Sequence, residues 1–218
     1  MGVDVGVWVI GVDVSVLVAV AVGVSLGVSL LAKTTAYIGL GVGALAIAMR
    51  ARAERRPWLW VLEQGTLMAV PALLLSAPWF IRNALTYGWG DPMGLARHNA
   101  VVLGQPRSAE WLAQYGWTGL LSRALRTTFQ SFWGQFGWMG VLLDSRIYLA
   151  LQMLTLLVAL GLGWALWEMM RSSALTPFQR RALAFLGAWL LFTAASYLWY
   201  NLTFVQHQGR YLFPALPV

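Results

Sequence analysis

The chain contains no cysteine, which excludes disulfides and thiolate metal sites and leaves no redox chemistry from which to read a compartment. Charge is also scarce. Only 11% of the 218 residues are Asp, Glu, Lys or Arg, where an ordinary soluble domain carries about 25%. There are 8 acidic residues, 2 histidines and a single lysine, Lys33. Isolated histidines with no carboxylate at ligand spacing do not make a metal centre, so no cofactor is evident and a divalent cation is not supported by ligand spacing. What the chain has instead is apolar bulk: 59% hydrophobic residues and a mean hydropathy of +0.66. The net charge of +7 is almost wholly arginine. In so apolar a chain that excess reports topology and contact with anionic lipid, and it argues against nucleic acid as a partner.

Apolar windows recur at lengths suited to a hydrocarbon core of about 30 Å. Candidate spans are 14–32, 36–49, 58–80, 147–170 and 182–204, and a further one starts near Tyr211. The second is short and glycine-rich, consistent with a tilted, re-entrant or tightly paired segment. The expected fold is all-α, a multipass transmembrane helical bundle in which 1–218 form a single, partial transmembrane domain. Arg50, Arg52, Arg55 and Arg56 lie in one short connection, and Arg171, Arg180 and Arg181 in another. The positive-inside rule places both in the cytoplasm. The Lys33 turn, the long stretch 81–146 and the lip 206–210 then share the outer side of a cell membrane.

The first residues, 1–24, alternate valine with small residues and lack both a basic leader and a cleavage site, so no cleaved signal is expected. Asp4 and Asp13 read as part of a solvated leader. Glu63 and Glu168 sit near cytoplasmic span ends; Glu168 is spaced to pair with Arg171, and Glu63 to snorkel. Asn201-Leu202-Thr203 spells a glycosylation sequon but falls against a helix.

The outer loop 81–146 reads as structured. Pro78-Trp79-Phe80-Ile81-Arg82-Asn83 closes a span with interfacial aromatics, and Tyr87-Gly88-Trp89-Gly90-Asp91-Pro92 is a turn cluster. Beyond it Trp117, Leu121, Leu125, Phe129, Phe132 and Phe136 recur at helical spacing, with Ser122, Arg123, Arg126, Thr127 and Gln130 opposite. That is an amphipathic helix, lying in the interface or packed on the bundle. The lip Gln206-His207-Gln208-Gly209-Arg210-Tyr211-Leu212-Phe213-Pro214 sets Arg210 at a membrane edge, where a cation meets phosphate.

Lys33-Thr34-Thr35, the 78–83 segment with Tyr87 and Asp91-Pro92, Phe132-Trp133-Gly134-Gln135-Phe136-Gly137-Trp138, and the 208–214 segment occur in an order that resembles bacterial multipass glycosyltransferases of the GT-C superfamily. The resemblance spans about 30 to 218 and is nearest to the family-39-like, mannosyltransferase type. It implies transfer of a hexosyl or pentosyl group from a polyprenyl-phosphate-linked donor on the extracytoplasmic face of the plasma membrane. Such enzymes carry an acidic residue in their first outer loop and basic residues on later ones that hold the lipid phosphate. No first-loop acidic motif is evident and the final helices are absent, so the expectation is a partial enzyme whose catalytic residue is unassigned.

Under that resemblance Arg210, Arg82 and Arg97 are the candidates for donor phosphate. A planar guanidinium binds two phosphate oxygens and never loses its proton. The alternatives are a topology or snorkelling role for Arg210 and interfacial anchoring for Arg82. Asp91, Tyr211, His207, Trp133 and Trp138 are candidate sugar or acceptor contacts; Asp91 before Pro92 also suits a turn, and the tryptophans also suit an interfacial belt. Two other classes stand beside the transferase: a non-catalytic multipass membrane protein, and a transporter or flippase component, which would carry polar residues and helix breaks at mid-membrane.

Overall fold

Helices dominate because apolar segments in lipid must satisfy every backbone group within themselves. The computed structural model describes residues 8–9, 12–33, 36–136, 139–172 and 175–216. In chain order these form β1 (Trp8–Val9), β2 (Val12–Asp13), α1 (Val14–Ala32), α2 (Tyr37–Glu54), α3 (Trp58–Tyr87), α4 (Leu95–Val101), α5 (Ser108–Gly134), β3 (Gln135–Phe136), β4 (Val141–Leu142), α6 (Ser145–Arg171), α7 (Pro177–Tyr200) and a 3-10 helix, Gly209–Ala215. The strands pair as two short antiparallel hairpins, β1 with β2 and β3 with β4. Among the described residues four helices are long and apolar enough to cross a membrane: α1, α3, α6 and α7. Contacts divide the chain into two compact units, 1–103 and 104–218.

In the first unit α1 turns a stripe of small residues, Ser15, Ala19, Gly23 and Gly27, into its buried face. A Cβ at Gly23 would run into the carbonyl oxygen of Met68, and one at Gly27 would meet Ala72 and Leu75. Helices in lipid gain little from hydrophobic exclusion and associate through such close backbone approach. Residue numbers rise together along both partners, so α1 and α3 run in the same direction. Gly43 of α2 faces Met68 and Arg50 lies over Trp60 at 5.6 Å, so α2 packs antiparallel to α3. Its last turns carry Arg50, Arg52 and Glu54, which keeps it out of the four apolar helices. Glu54 accepts from both Arg50 (2.9 Å) and Arg56 (3.0 Å), which holds its carboxyl below the usual range.

The helix α3 continues past Phe80 to Tyr87, and its 30 residues span about 45 Å. That exceeds the thickness of a hydrocarbon core of about 30 Å, and Arg82 and Asn83 lie near the C-terminal end of the helix. Pro71 and Pro78 lie within the helix and each removes one ladder hydrogen bond. Gln64, Ser76 and Asn83 are buried on it. The Ser76 hydroxyl turns back to the Ala72 carbonyl of its own helix (2.8 Å).

The second unit is held at one end. Asp144 caps α6 by accepting from the Arg146 N–H (2.8 Å). Thr176-Pro177-Phe178-Gln179 opens α7 as a capping box, with Gln179 N–H donating to Thr176 Oγ1 and Thr176 N–H to Gln179 Oε1. The helix α5 breaks at Gly116, whose φ of 65° is left-handed. It ends at Gly134, so Phe136, expected on the helical apolar face, lies in β3 instead. The Tyr148 hydroxyl donates to the Gly134 carbonyl (2.6 Å) and accepts from the Leu143 N–H (3.1 Å), tying the start of α6 to the end of α5. Away from that pin α6 is bare: none of its most apolar window is buried. Arg171 lies over the Trp167 ring at 5.2 Å, and no ion pair to Glu168 forms among the described residues.

Candidate functional site

The lip does not begin a new α-helix at Tyr211. Residues Gly209–Ala215 wind as a 3-10 helix, because Pro214 supplies no N–H and Gly209 is clamped against α5. Five hydrogen bonds fasten the approach. Val205 N–H donates to the Pro106 carbonyl (2.9 Å) and Ser108 N–H to the Thr203 carbonyl (3.1 Å). Asn201 Oδ1 accepts from the Gln206 N–H (2.8 Å) while its Nδ2 donates to the Tyr197 carbonyl (2.8 Å). The Gln206 and Gln105 side chains join at 3.1 Å. The sequon asparagine is thus a structural tie.

Gly209 is the tightest point. Its N–H donates to Ser131 Oγ at 2.7 Å, and a Cβ there would collide with Thr128 O and with the backbone and side chain of Phe132. Thr128 and Ser131 also reach the His207 carbonyl, at 3.5 and 3.4 Å, and Thr128 hydrogen-bonds the Tyr197 hydroxyl. Gly209 therefore serves here because only a residue without a side chain can lie on the α5 backbone. Immediately after this clamp Arg210 is exposed, its guanidinium 5.7 Å from the centre of the Tyr211 ring. Tyr211 in turn lies 5.0 Å from Tyr200.

His207 is buried, with 7% of its surface exposed, and its ring packs edge-on against Trp111 at 6.0 Å. Its Nδ1 has no hydrogen-bond partner. Burial pushes the imidazole pKa down, favouring the neutral ring. His207 is accordingly a packing residue beneath the lip, and its burial sets it apart from the exposed Arg210. Trp133 is partly exposed and packs against Phe132 at 5.5 Å, which in turn meets Phe213 at 5.4 Å. Trp138 lies outside the described residues.

The first unit holds the other candidates. Arg82 donates to Asn83 Oδ1 (3.2 Å) and lies over Trp79 at 5.7 Å, an interfacial arrangement. The Asp91 carboxylate accepts from the Arg97 N–H at 2.8 Å. With the amides of Ala96, Leu95 and Gly94 added, this holds its carboxyl below the usual range. Asp91 is thus committed to the start of α4, the turn role. It meets Arg97 through backbone alone, and the Arg97 side chain is exposed.

Thr128, Ser131 and Gly209 carry the geometry of the lip and were not singled out by sequence pattern. Amphipathy marks α5 as two-faced but does not say which polar residues receive a neighbour. Arg123, for instance, is spent on Tyr115, 3.9 Å from its ring centre.

Long apolar helices, polar chemistry gathered at helix ends and a stripe of small residues at a helix crossing define a multi-span α-helical membrane protein. Residues 14–218 match the family described as predicted membrane protein, DUF2142, and the chain belongs to that family. No curated protein and no solved structure matches it.

Proposed function

We propose that this protein is a membrane glycosyltransferase that moves a sugar from a polyprenyl-phosphate-linked donor to an acceptor on the extracytoplasmic face of the plasma membrane. The observation that carries the reading is the presentation of Arg210: an exposed guanidinium directly after a glycine locked onto α5. Breaking the sugar–oxygen bond leaves negative charge on the lipid phosphate, and a cation already held where that charge develops lowers the barrier. A rigid support matters, because a side chain that must be ordered during the reaction loses part of its benefit to entropy. Arg210 is the donor-phosphate clamp in this reading, and Tyr211 and Trp133, in the same unit, supply aromatic faces for sugar. Asp91 and His207, occupied by α4 and by Trp111, support the fold.

The test is binding of an undecaprenyl-phosphate sugar to the purified full chain in nanodiscs, with Arg210→Ala compared against Arg181→Ala at the opposite end of α7. Loss of a charge-assisted hydrogen bond of about 1.5–3 kcal/mol predicts a fall in affinity of about 10- to 100-fold for Arg210→Ala. Arg181→Ala should bind as the parent does. Equal loss in both, or no loss in either, overturns the assignment.

A further inference from the structure

We infer that the groove between α5 and α6 binds an anionic phospholipid of the surrounding bilayer. The inference stands apart from the transferase reading, on different residues. The groove encloses about 810 Å³, within the range of about 300–1,000 Å³ typical of small-molecule sites. Its polar lining is Arg126 and Gln130 from α5 with Ser145 and Gln152 from α6, and its apolar lining includes Phe129 and Leu149. Arg126 is the only charged residue among those that line it, and no carboxylate does.

That asymmetry selects the headgroup. A phosphate is met by one guanidinium and by hydroxyl and amide donors, whereas the ammonium of a zwitterionic lipid finds no anion to pair with. The nearby acid, Asp144, is turned to the Arg146 N–H as the cap of α6.

The tail has a path as well. Leu149 is 54% exposed, and Leu156 and Leu160 are 56% and 62% exposed. These two follow Gln152 at steps of four, so they continue the same face of α6. A headgroup at Arg126 therefore leads an acyl chain over Phe129 and Leu149 and down an apolar helix face that nothing else in its unit covers. The walls are preset by the Tyr148 pin between α5 and α6, so little ordering is left for the ligand to impose.

Phosphatidylglycerol titrated onto the purified full chain in detergent and followed by native mass spectrometry tests this. Arg126→Gln should lower its affinity about tenfold, while Arg126→Lys, which keeps the charge and reports on folding, should hold within about threefold of the parent. Leu149→Gln should weaken binding with the charge intact. Arg146→Gln, an exposed cation outside the groove, should change nothing, and phosphatidylcholine should bind more weakly than phosphatidylglycerol. The inference is overturned by equal loss in Arg126→Gln and Arg146→Gln, by no preference between the two lipids, or by displacement with millimolar inorganic phosphate, which would reveal a phosphate site without a lipid. Displacement by one equivalent of a polyprenyl phosphate would also overturn it, since the groove would then belong to a donor.

Discussion

In residues 1–103 the helices meet backbone to backbone along a stripe of small residues, whereas in residues 104–218 the order is concentrated at one end, in polar ties around a single glycine. Gly23 and Gly27 lay α1 onto α3 over several turns, and the buried Ser76 hydroxyl is satisfied within its own helix. In the second unit α6 has none of its apolar window buried and α7 little of its own, while Ser131, Thr128, Asn201 and Tyr148 fix the segments around their ends. The difference teaches how each region resists change. A stripe of close contacts spreads its stability over a long surface, and a cluster of polar ties holds one edge rigid while leaving helix faces available to lipid. The second arrangement is the one suited to presenting a charged side chain at a membrane surface.

The comparison breaks most severely at Gly23. Leucine there must displace the Met68 backbone, and overpacking of this kind costs about 3 kcal/mol. Thermal unfolding in detergent, read together with proteolysis within residues 1–103, should show that loss; a change under about 0.5 kcal/mol would mean that α1 and α3 do not touch through their backbones.

Gly209→Ala should cost about 2 kcal/mol and lower donor-lipid affinity along with Arg210→Ala, because the lip must lift from α5. Gly161→Ala is the matched control: nothing lies within 4 Å of a Cβ at that position, so stability should hold or rise by under about 1 kcal/mol. If Gly209→Ala left both stability and donor affinity unchanged, the clamp would have no role in presenting Arg210.

The smallest effect is a pH dependence. Burial lowers the folded pKa of His207, so the unfolded chain binds a proton first as pH falls. Stability is therefore full above the unfolded value of about 6.5 and declines as pH drops below it towards the folded value. His207→Phe keeps a ring against Trp111 and cannot titrate. Melting curves at pH 8 and pH 5 should diverge more for the parent than for this variant, and an equal divergence would place the titration elsewhere.

Much of the architecture was legible because it is local. Apolar runs marked α1, α3, α6 and α7, while the caps that start α6 and α7, Asp144 and the Thr176-Pro177-Phe178-Gln179 box, came with the structure. The helix after Gly116 follows the spacing of Trp117, Leu121 and Leu125. The candidate site was less legible. Arg210 stands out for its surroundings, but Asp91 reads either as a sugar contact or as a turn residue, and its hydrogen bond to the Arg97 N–H of α4 comes only with the structure. His207 reads as a surface group until Trp111 covers it, and Tyr211 reads as the start of a helix that Pro214 and the Gly209 clamp convert to a 3-10 turn.

By itself, then, the sequence determined the membrane class, the helical segments and the chemistry available at their ends, since hydropathy and charge act over a few neighbouring residues. Only the tertiary structure decided that Gly209 lies on α5, that Thr128 and Ser131 hold the lip, and that Arg126 opens onto a groove with α6. Gly209 and Ser131 are 78 positions apart in the chain. Whether two such residues touch depends on how whole helices are placed, and no local pattern in the chain encodes that.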